Sequence, residues 1–421
     1  MAQTSEDFSP IVHLPGDCPK FTRFLRTTGC DRPLACRIGI IDDMQRLKCI
    51  SPTSERSAGD DMTGKRTHLL RIADRAAGRD NNFNLLRMLA AAGVLISHAY
   101  PISLGPKAVQ PLAGSLQGIT LGMLSVMVFF AISGFFITRS FAQKTTLRGF
   151  FEARILRLFP ALAVVLIMTI LVAGLFLTTA SPRVFWAAVP EYFLRNFTLF
   201  YPKYELPGVF ETTPFGPAIN GSLWTLNYEV LCYLGVVLCG LLGLFARPRL
   251  FAAALVLFIL AHVAGQMMQL HPRVENLLRL GLPFGIGMAF WVWRAVIPLS
   301  WTLAVLLCLA AALLRPTLLF EPVLTLALAY SVFVLGYARS PLLKRYNRLG
   351  DYSYGTYVYA FPLQQWIAAL GVASPLLNIA LSLPLVLVCA VLSWTFVEAP
   401  ALRLRSRRGR NAEGAARTAA E

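Results

Sequence analysis

Apolar residues in this chain fall in blocks of about 20, among them 121–141, 158–180 and 223–245. A helix of that length crosses about 30 Å of hydrocarbon. Of the 421 residues, 56% are apolar and only 14% charged, with a mean hydropathy of +0.58. An ordinary soluble domain carries about a quarter charged residues, so a soluble globule is excluded. The runs are continuous rather than alternating apolar with polar, which excludes an outer-membrane barrel. Collagen, coiled coil and bulk disorder fail on composition. The fold class is therefore an all-α membrane protein, a polytopic bundle.

The pattern predicts about ten transmembrane helices, at 84–103, 118–138, 158–180, 222–245, 249–268, 278–296, 299–314, 317–337, 351–371 and 375–397. The net charge of +17 does not form one basic face for nucleic acid, because the basic residues sit between apolar blocks. Topology accounts for them. With both termini cytoplasmic, the segments 65–79, 139–157, 246–249, 339–350 and 401–421, with Arg294, collect 23 Lys and Arg. The opposite side holds Lys107, Arg183, Arg195, Lys203, Arg273, Arg279 and Arg315, the bias of the positive-inside rule.

Residues 1–80 are polar and mixed in charge, and read as a disordered cytosolic extension before a transmembrane domain at 81–403 and a basic cytosolic tail at 404–421. Met62, just ahead of a basic run, is an alternative start that would leave 1–61 outside the native chain. The eight cysteines show no Cys-x-x-Cys pattern with a paired His, so no metal site is expected. The long external segment 181–221 is rich in Tyr, Phe, Trp and Pro and carries Glu191, Glu205 and Glu211. It reads either as a lid or acceptor platform, or as aromatics at the headgroup level. The sequons at Asn196 and Asn220 read as chance.

Ionisable groups in hydrocarbon are costly and usually mark function. Arg87 and His98 lie eleven residues apart in the first span. Eleven residues turn about 1100° and rise about 16 Å, so both share one helical face at different depths. A histidine shielded from bulk water can act as a general base on a hydroxyl, or be a hydrogen-bonded core residue. Arg154 and Arg157, three apart, present two guanidiniums on one face, suited to bidentate phosphate binding or to a topological anchor. Glu229 lies about two turns into the fourth span, at a depth comparable to His98. It needs a partner, which an imidazole, an acceptor hydroxyl or a structural ion pair would each supply. Ser133-Gly134 places small residues in a bulky span, permitting close helix contact or passage of a narrow substrate arm. Leu349-Gly-Asp351-Tyr-Ser353-Tyr354 and Phe396-Val-Glu398 complete the polar marks.

Over about residues 81–403 these segments resemble acyltransferase family 3, bacterial integral membrane O-acyltransferases that modify surface glycans and lipids. The resemblance rests on Arg87 with His98, Arg154-Ile-Leu-Arg157, Ser133-Gly134-Phe, Ser222-Leu-Trp224 with Glu229, and Ser353-Tyr354. It implies that His98 is the catalytic histidine and that Arg154 and Arg157 engage the nucleotide of acyl-CoA, a co-substrate with no bound cofactor beside it. A pantetheine arm on the order of 15–20 Å matches the rise from Arg87 to His98. One position departs: many members carry a histidine in a Tyr-x-x-His-x-Pro setting, where this chain has Ala360 between Tyr357 and Pro362.

The expected function is transfer of an acyl group, acetyl foremost, from cytosolic acyl-CoA to a hydroxyl of a surface or lipid-linked glycan, in a bacterial plasma membrane. His98 is the general base, with Glu229 orienting it or touching the acceptor. Arg87, Arg154 and Arg157 bind phosphate; Ser133, Trp224, Asn227 and Tyr354 line the substrate path. Direct transfer is preferred to an acyl-enzyme, since no Ser or Cys in the motifs sits beside a base. A transporter or flippase is the rival reading, since ten spans with buried charge also suit substrate passage. A membrane sensor or scaffold is the second rival.

Overall fold

Lipid offers no hydrogen-bond partner to the backbone, so a chain of this composition closes its hydrogen bonds within helices. The computed structural model describes residues 70–404 apart from 79, 144–145, 340–345 and 347–348. Residues 1–69 and most of the basic tail lie outside the described residues.

A short helix α1 (Ile72–Ala76) precedes α2 (Phe83–Leu104), α3 (Leu121–Ala142) and α4 (Leu147–Val172), the last prolonged by a π turn, Ala173–Leu177. Next come α5 (Pro182–Phe197), α6 (Trp224–Leu241), α7 (Pro248–Met267) and α8 (Pro272–Val292). The chain continues through α9 (Trp301–Leu313), α10 (Phe320–Tyr337), α11 (Ser353–Ala369) and α12 (Pro375–Ser393), with a second π turn at Trp394–Glu398. Local chemistry explains several starts. Thr120, Thr146, Ser300 and Ser374 accept hydrogen bonds from the backbone N–H three residues on, while Pro182, Pro248, Pro272 and Pro375 open α5, α7, α8 and α12, where no intrahelical donor is required.

Every predicted span falls on a helix, but only seven helices among the described residues are long and apolar enough to cross a membrane on those grounds: α2, α3, α4, α6, α7, α10 and α12. The other three are α8, whose first turns carry Arg273, Glu275 and Arg279; α9, with 13 residues; and α11, with 17. Thirteen residues rise only about 20 Å.

Residues 70–76, assigned by sequence to the disordered extension, are instead tied down. Ile72 N–H donates to the Ile297 carbonyl at 3.1 Å, Leu299 N–H to Leu70 at 2.6 Å, and Arg71 Nη1 to Ala295 at 3.0 Å. Ile72 is completely buried, an apolar anchor too isolated in sequence to show any periodicity. At the other end of the bundle, Gln117 Nε2 donates to the Arg315 carbonyl at 2.6 Å, and the Arg273 guanidinium lies 3.3 Å from the Tyr201 ring centroid. Asn196 and Asn220, the two sequon asparagines, are buried and hydrogen-bonded to carbonyls.

Helix α3 packs against α2, α6, α8 and α10. Between helices in lipid there is no hydrophobic drive, so close backbone approach carries the association. Gly134 of α3 faces the Phe284 carbonyl of α8, and Gly287 of α8 faces the Ala131 carbonyl of α3; a Cβ at either would collide with that backbone. Gly134 of the Ser133-Gly134 step is thus a helix contact. Gly134→Val and Gly287→Val are each expected to destabilise the bundle by about 1–3 kcal/mol or more, read as a lower midpoint of thermal aggregation in detergent; unchanged midpoints would contradict the close crossing.

Candidate functional site

Helices α2, α3, α4, α6 and α11 surround a cavity of about 870 Å³, at the large end of ligand-sized pockets. Among the described residues four arginines line it, Arg87, Arg139, Arg154 and Arg157, with one carboxylate, Glu229. Helical spacing gathers them. Asn84 and Arg87 lie one turn apart on α2, Arg154 and Arg157 one turn apart on α4, and Glu229 and Tyr233 one turn apart on α6. Ser133, Ser140, Ser353 and Tyr354 add hydroxyls, and Val126, Phe129, Phe130, Leu226 and Tyr357 supply an apolar wall.

Uncompensated guanidiniums at such depth are untenable, and two carboxylates at the back of the cavity answer that need. Asp351, just ahead of α11, accepts from Arg157 Nη2 at 2.5 Å through Oδ2, and the same oxygen lies 3.5 Å from Arg87 Nη1. Its Oδ1 accepts from Ser353 Oγ at 2.6 Å. Glu398, in the π turn after α12, lies 3.7 Å from Arg157 Nη1 and accepts from Ser393 Oγ at 3.1 Å. Arg154 takes a different setting, with Nη2 3.5 Å from Ser140 Oγ and its guanidinium 5.9 Å from the Phe150 ring centroid. The cluster therefore joins α2, α4, α11 and α12 and turns several N–H donors into one cavity. Such a surface suits a phosphorylated ligand.

His98 sits farther along α2 and does not line this cavity. Its ring meets Phe361 of α11 edge-on, centroids 5.3 Å apart, and its Nδ1 is buried with no hydrogen-bond partner among the described residues. Glu229 lies with the arginines rather than beside His98: its Oε1 accepts from Tyr233 Oη at 2.5 Å. Ser133 and Tyr354 are on the cavity wall, and Tyr354 Oη donates to the Leu158 carbonyl at 3.0 Å. Trp224 and Asn227 are off it; Trp224 packs edge-on with Tyr228 at 5.7 Å. Ala360, in the position where the resemblance expects histidine, is 1% exposed and packed with Leu95 and Val386.

Four contributors were not among the expected site residues: Asp351, Arg139, Tyr233 and Glu398. Asp351 and Glu398 stood in quoted segments, and the signal for them was charge balance: one arginine inside an apolar span, Arg87, and two just ahead of another, Arg154 and Arg157, require carboxylates. Arg139 was absorbed into the count of topological charge. Tyr233 gave no signal beyond lying four residues after Glu229.

The family model described as acyltransferase domain matches residues 80–397. The chain is similar to Nodulation protein 10 of Rhizobium leguminosarum bv. viciae, 28% identical over 374 residues, covering 79% of this chain and 96% of that protein. It is also similar to the O-acetyl transferase of Shigella phage Sf6, 28% identical over 332 residues, covering 76% of this chain and 95% of that protein. No solved structure matches it.

Removing the shared acid takes from Arg87 its carboxylate and leaves Arg157 only the longer contact to Glu398. Asp351→Asn is expected to cost about 3–5 kcal/mol of stability, and Ser353→Ala about 1 kcal/mol. Thermal melting of the purified protein checks both; equal midpoints for Asp351→Asn and wild type would show that Asp351 carries no structural charge pairing.

Proposed function

The chain belongs to acyltransferase family 3 and is an O-acyltransferase; from that premise we propose that it moves an acyl group, acetyl foremost, from cytosolic acyl-CoA to a hydroxyl of a surface or lipid-linked glycan. The observation that carries the reading is the pairing on α2 of Arg87, in an arginine-lined cavity of about 870 Å³, with His98 about three turns farther on the same helical face. Phosphates of the donor bind the arginines, and the pantetheine arm runs along α2 toward His98. The similarity to a phage O-acetyl transferase favours acetyl.

In this scheme His98 accepts the acceptor's hydroxyl proton as the oxygen attacks the thioester carbonyl. The C–S bond breaks, and the proton taken up by His98 passes to the departing CoA thiolate, which leaves the imidazole neutral. A ring nitrogen without a hydrogen-bond partner, the state of His98 Nδ1, is available for a hydroxyl or an orienting group. The four cavity arginines, Arg87, Arg139, Arg154 and Arg157, take the phosphates, with Asp351 holding Arg87 and Arg157 in place. Glu229 with Tyr233 borders the arm.

The topology belongs to the same proposal: ten spans, α2, α3, α4 and α6 through α12, with both termini on the cytoplasmic side of a bacterial inner membrane. Contacts between connections support it. The segment before α2 meets the α8–α9 connection, both internal in that scheme. The α2–α3 and α9–α10 connections meet through Gln117 and Arg315, and Tyr201 meets Arg273 at the start of α8, both pairs external.

Membranes carrying the full chain and given radiolabelled acetyl-CoA are expected to place base-labile label in envelope glycan, and His98→Ala to reduce it by about 10²–10⁴-fold. Label retained by His98→Ala would remove His98 from its role; an intact unlabelled glycan that fails to reach the surface in the variant would favour a transporter. Reporters after Arg247 and at the carboxyl terminus are expected to read cytoplasmic, and one at Glu205 external. Opposite sides for the first two would refute the ten-span topology.

A further inference from the structure

The donor cavity and His98 are separate spaces. Tyr357 lines the cavity, and Phe361, four residues later on α11, lies against the His98 ring. One helical turn, about 6 Å, parts the two positions. The layer between them is tightly packed: Val94 is 1% exposed, Val126 6% and Tyr357 6%. Within it Tyr357 has a distinctive attachment. Its hydroxyl donates to the Ser222 carbonyl at 2.9 Å and lies 2.5 Å from Thr225 Oγ1. Its ring meets Phe129 of α3 edge-on, centroids 5.8 Å apart. The tyrosine is thus held from α3 on one side and from the start of α6 on the other. Beyond it, Phe361 is backed by Gly221, where a Cβ would meet the phenyl ring at 2.7 Å.

We propose that Tyr357 is the specificity-determining residue for the acyl donor: its pinned ring closes the arginine-lined cavity toward His98 and admits only a short acyl group on its thioester. The proposal rests on the donor reading of the cavity given above. The physical basis is a tight apolar passage, in which one methylene discriminates by about 10–200-fold. An acetyl group is accommodated in the space the displaced ring leaves, whereas a longer chain runs on past Tyr357 into the packed side chains of Val94 and Phe361. Because the hydroxyl is anchored to a backbone carbonyl and a threonine on α6, the passage opens by releasing two hydrogen bonds rather than by moving a helix.

The test uses membranes carrying the full chain and radiolabelled acetyl-, butyryl- and hexanoyl-CoA, with envelope glycan as acceptor. The ratio of butyryl to acetyl transfer is expected to rise at least about 10-fold in Tyr357→Ala, and by a smaller factor in Tyr357→Phe and Thr225→Val, which loosen the pin while keeping the ring. Free CoA is expected to inhibit wild type and all three variants at the same concentration, because the arginines are untouched. Should Tyr357→Ala fail to accumulate, the two milder variants carry the test. Acetyl transfer by wild type with a ratio unchanged in every variant that accumulates would overturn the role of Tyr357 alone. A change in all donors by one common factor would also overturn it, since that marks a structural effect. No transfer by wild type from any of the three donors would overturn the donor reading and, with it, the passage.

Discussion

One carboxylate oxygen serves two arginines from different helices. Asp351 Oδ2 faces Arg157 of α4 and Arg87 of α2, and the rest of the cavity depends on that sharing. Without it, two guanidiniums would stand within a few ångströms of each other in a medium that screens charge poorly. With it, α2, α4 and α11 are locked at one level, and Ser353 fixes the orientation of the acid. Glu398 repeats the device from α12, holding the far side of Arg157. The arginines thereby keep their charge while their remaining N–H groups are available to an anion.

That electrostatic floor needs a rigid wall to face, and α3 provides it. The reciprocal glycine approach between Gly134 and Gly287 brings α3 against α8 backbone to backbone. This sets the position of Ser133 beside the cavity, and of Phe129 one turn earlier, which in turn abuts Tyr357. Polar groups around the start of α6 complete the frame. Asn220 donates to the Val358 carbonyl at 3.0 Å, and Gln365 to the Ala218 carbonyl at 2.7 Å, tying the segment before α6 to α11. The layer separating the arginines from His98 is therefore built from three helices and one loop, each fixed by different chemistry.

Much of this was legible from residue pattern. Apolar blocks placed a helix under every predicted span, seven of them, among the described residues, long and apolar enough to cross a membrane, because hydrocarbon thickness sets a minimum length for a crossing helix. The shared face of Arg87 and His98 followed from helical pitch alone. The Arg154 and Arg157 pair was visible as two charges one turn apart, although the helix that carries them starts at Leu147, ahead of the apolar block, because Thr146 caps it there. Relations between helices were not legible. Glu229 was matched to His98 by depth, yet depth says nothing of rotation, and the acid faces the arginines with Tyr233. The helix α1 was missed because one buried isoleucine and three backbone hydrogen bonds hold it, a scale below any periodicity. Ser133-Gly134 left contact and passage both open, and the two residues divide: Gly134 meets the backbone of α8, while Ser133 lies on the cavity wall.

The central claim is that a nucleotide-bearing donor lies among the arginines with its thioester directed along α2 to His98. The most direct measurement is the position of a non-hydrolysable acetyl-CoA analogue bound to the full chain, determined by electron cryomicroscopy. Phosphate density against the arginines of the cavity, with the arm passing Tyr357 toward His98, is the expected result. Density for the analogue at any other surface, with the arginine-lined cavity empty, would contradict it.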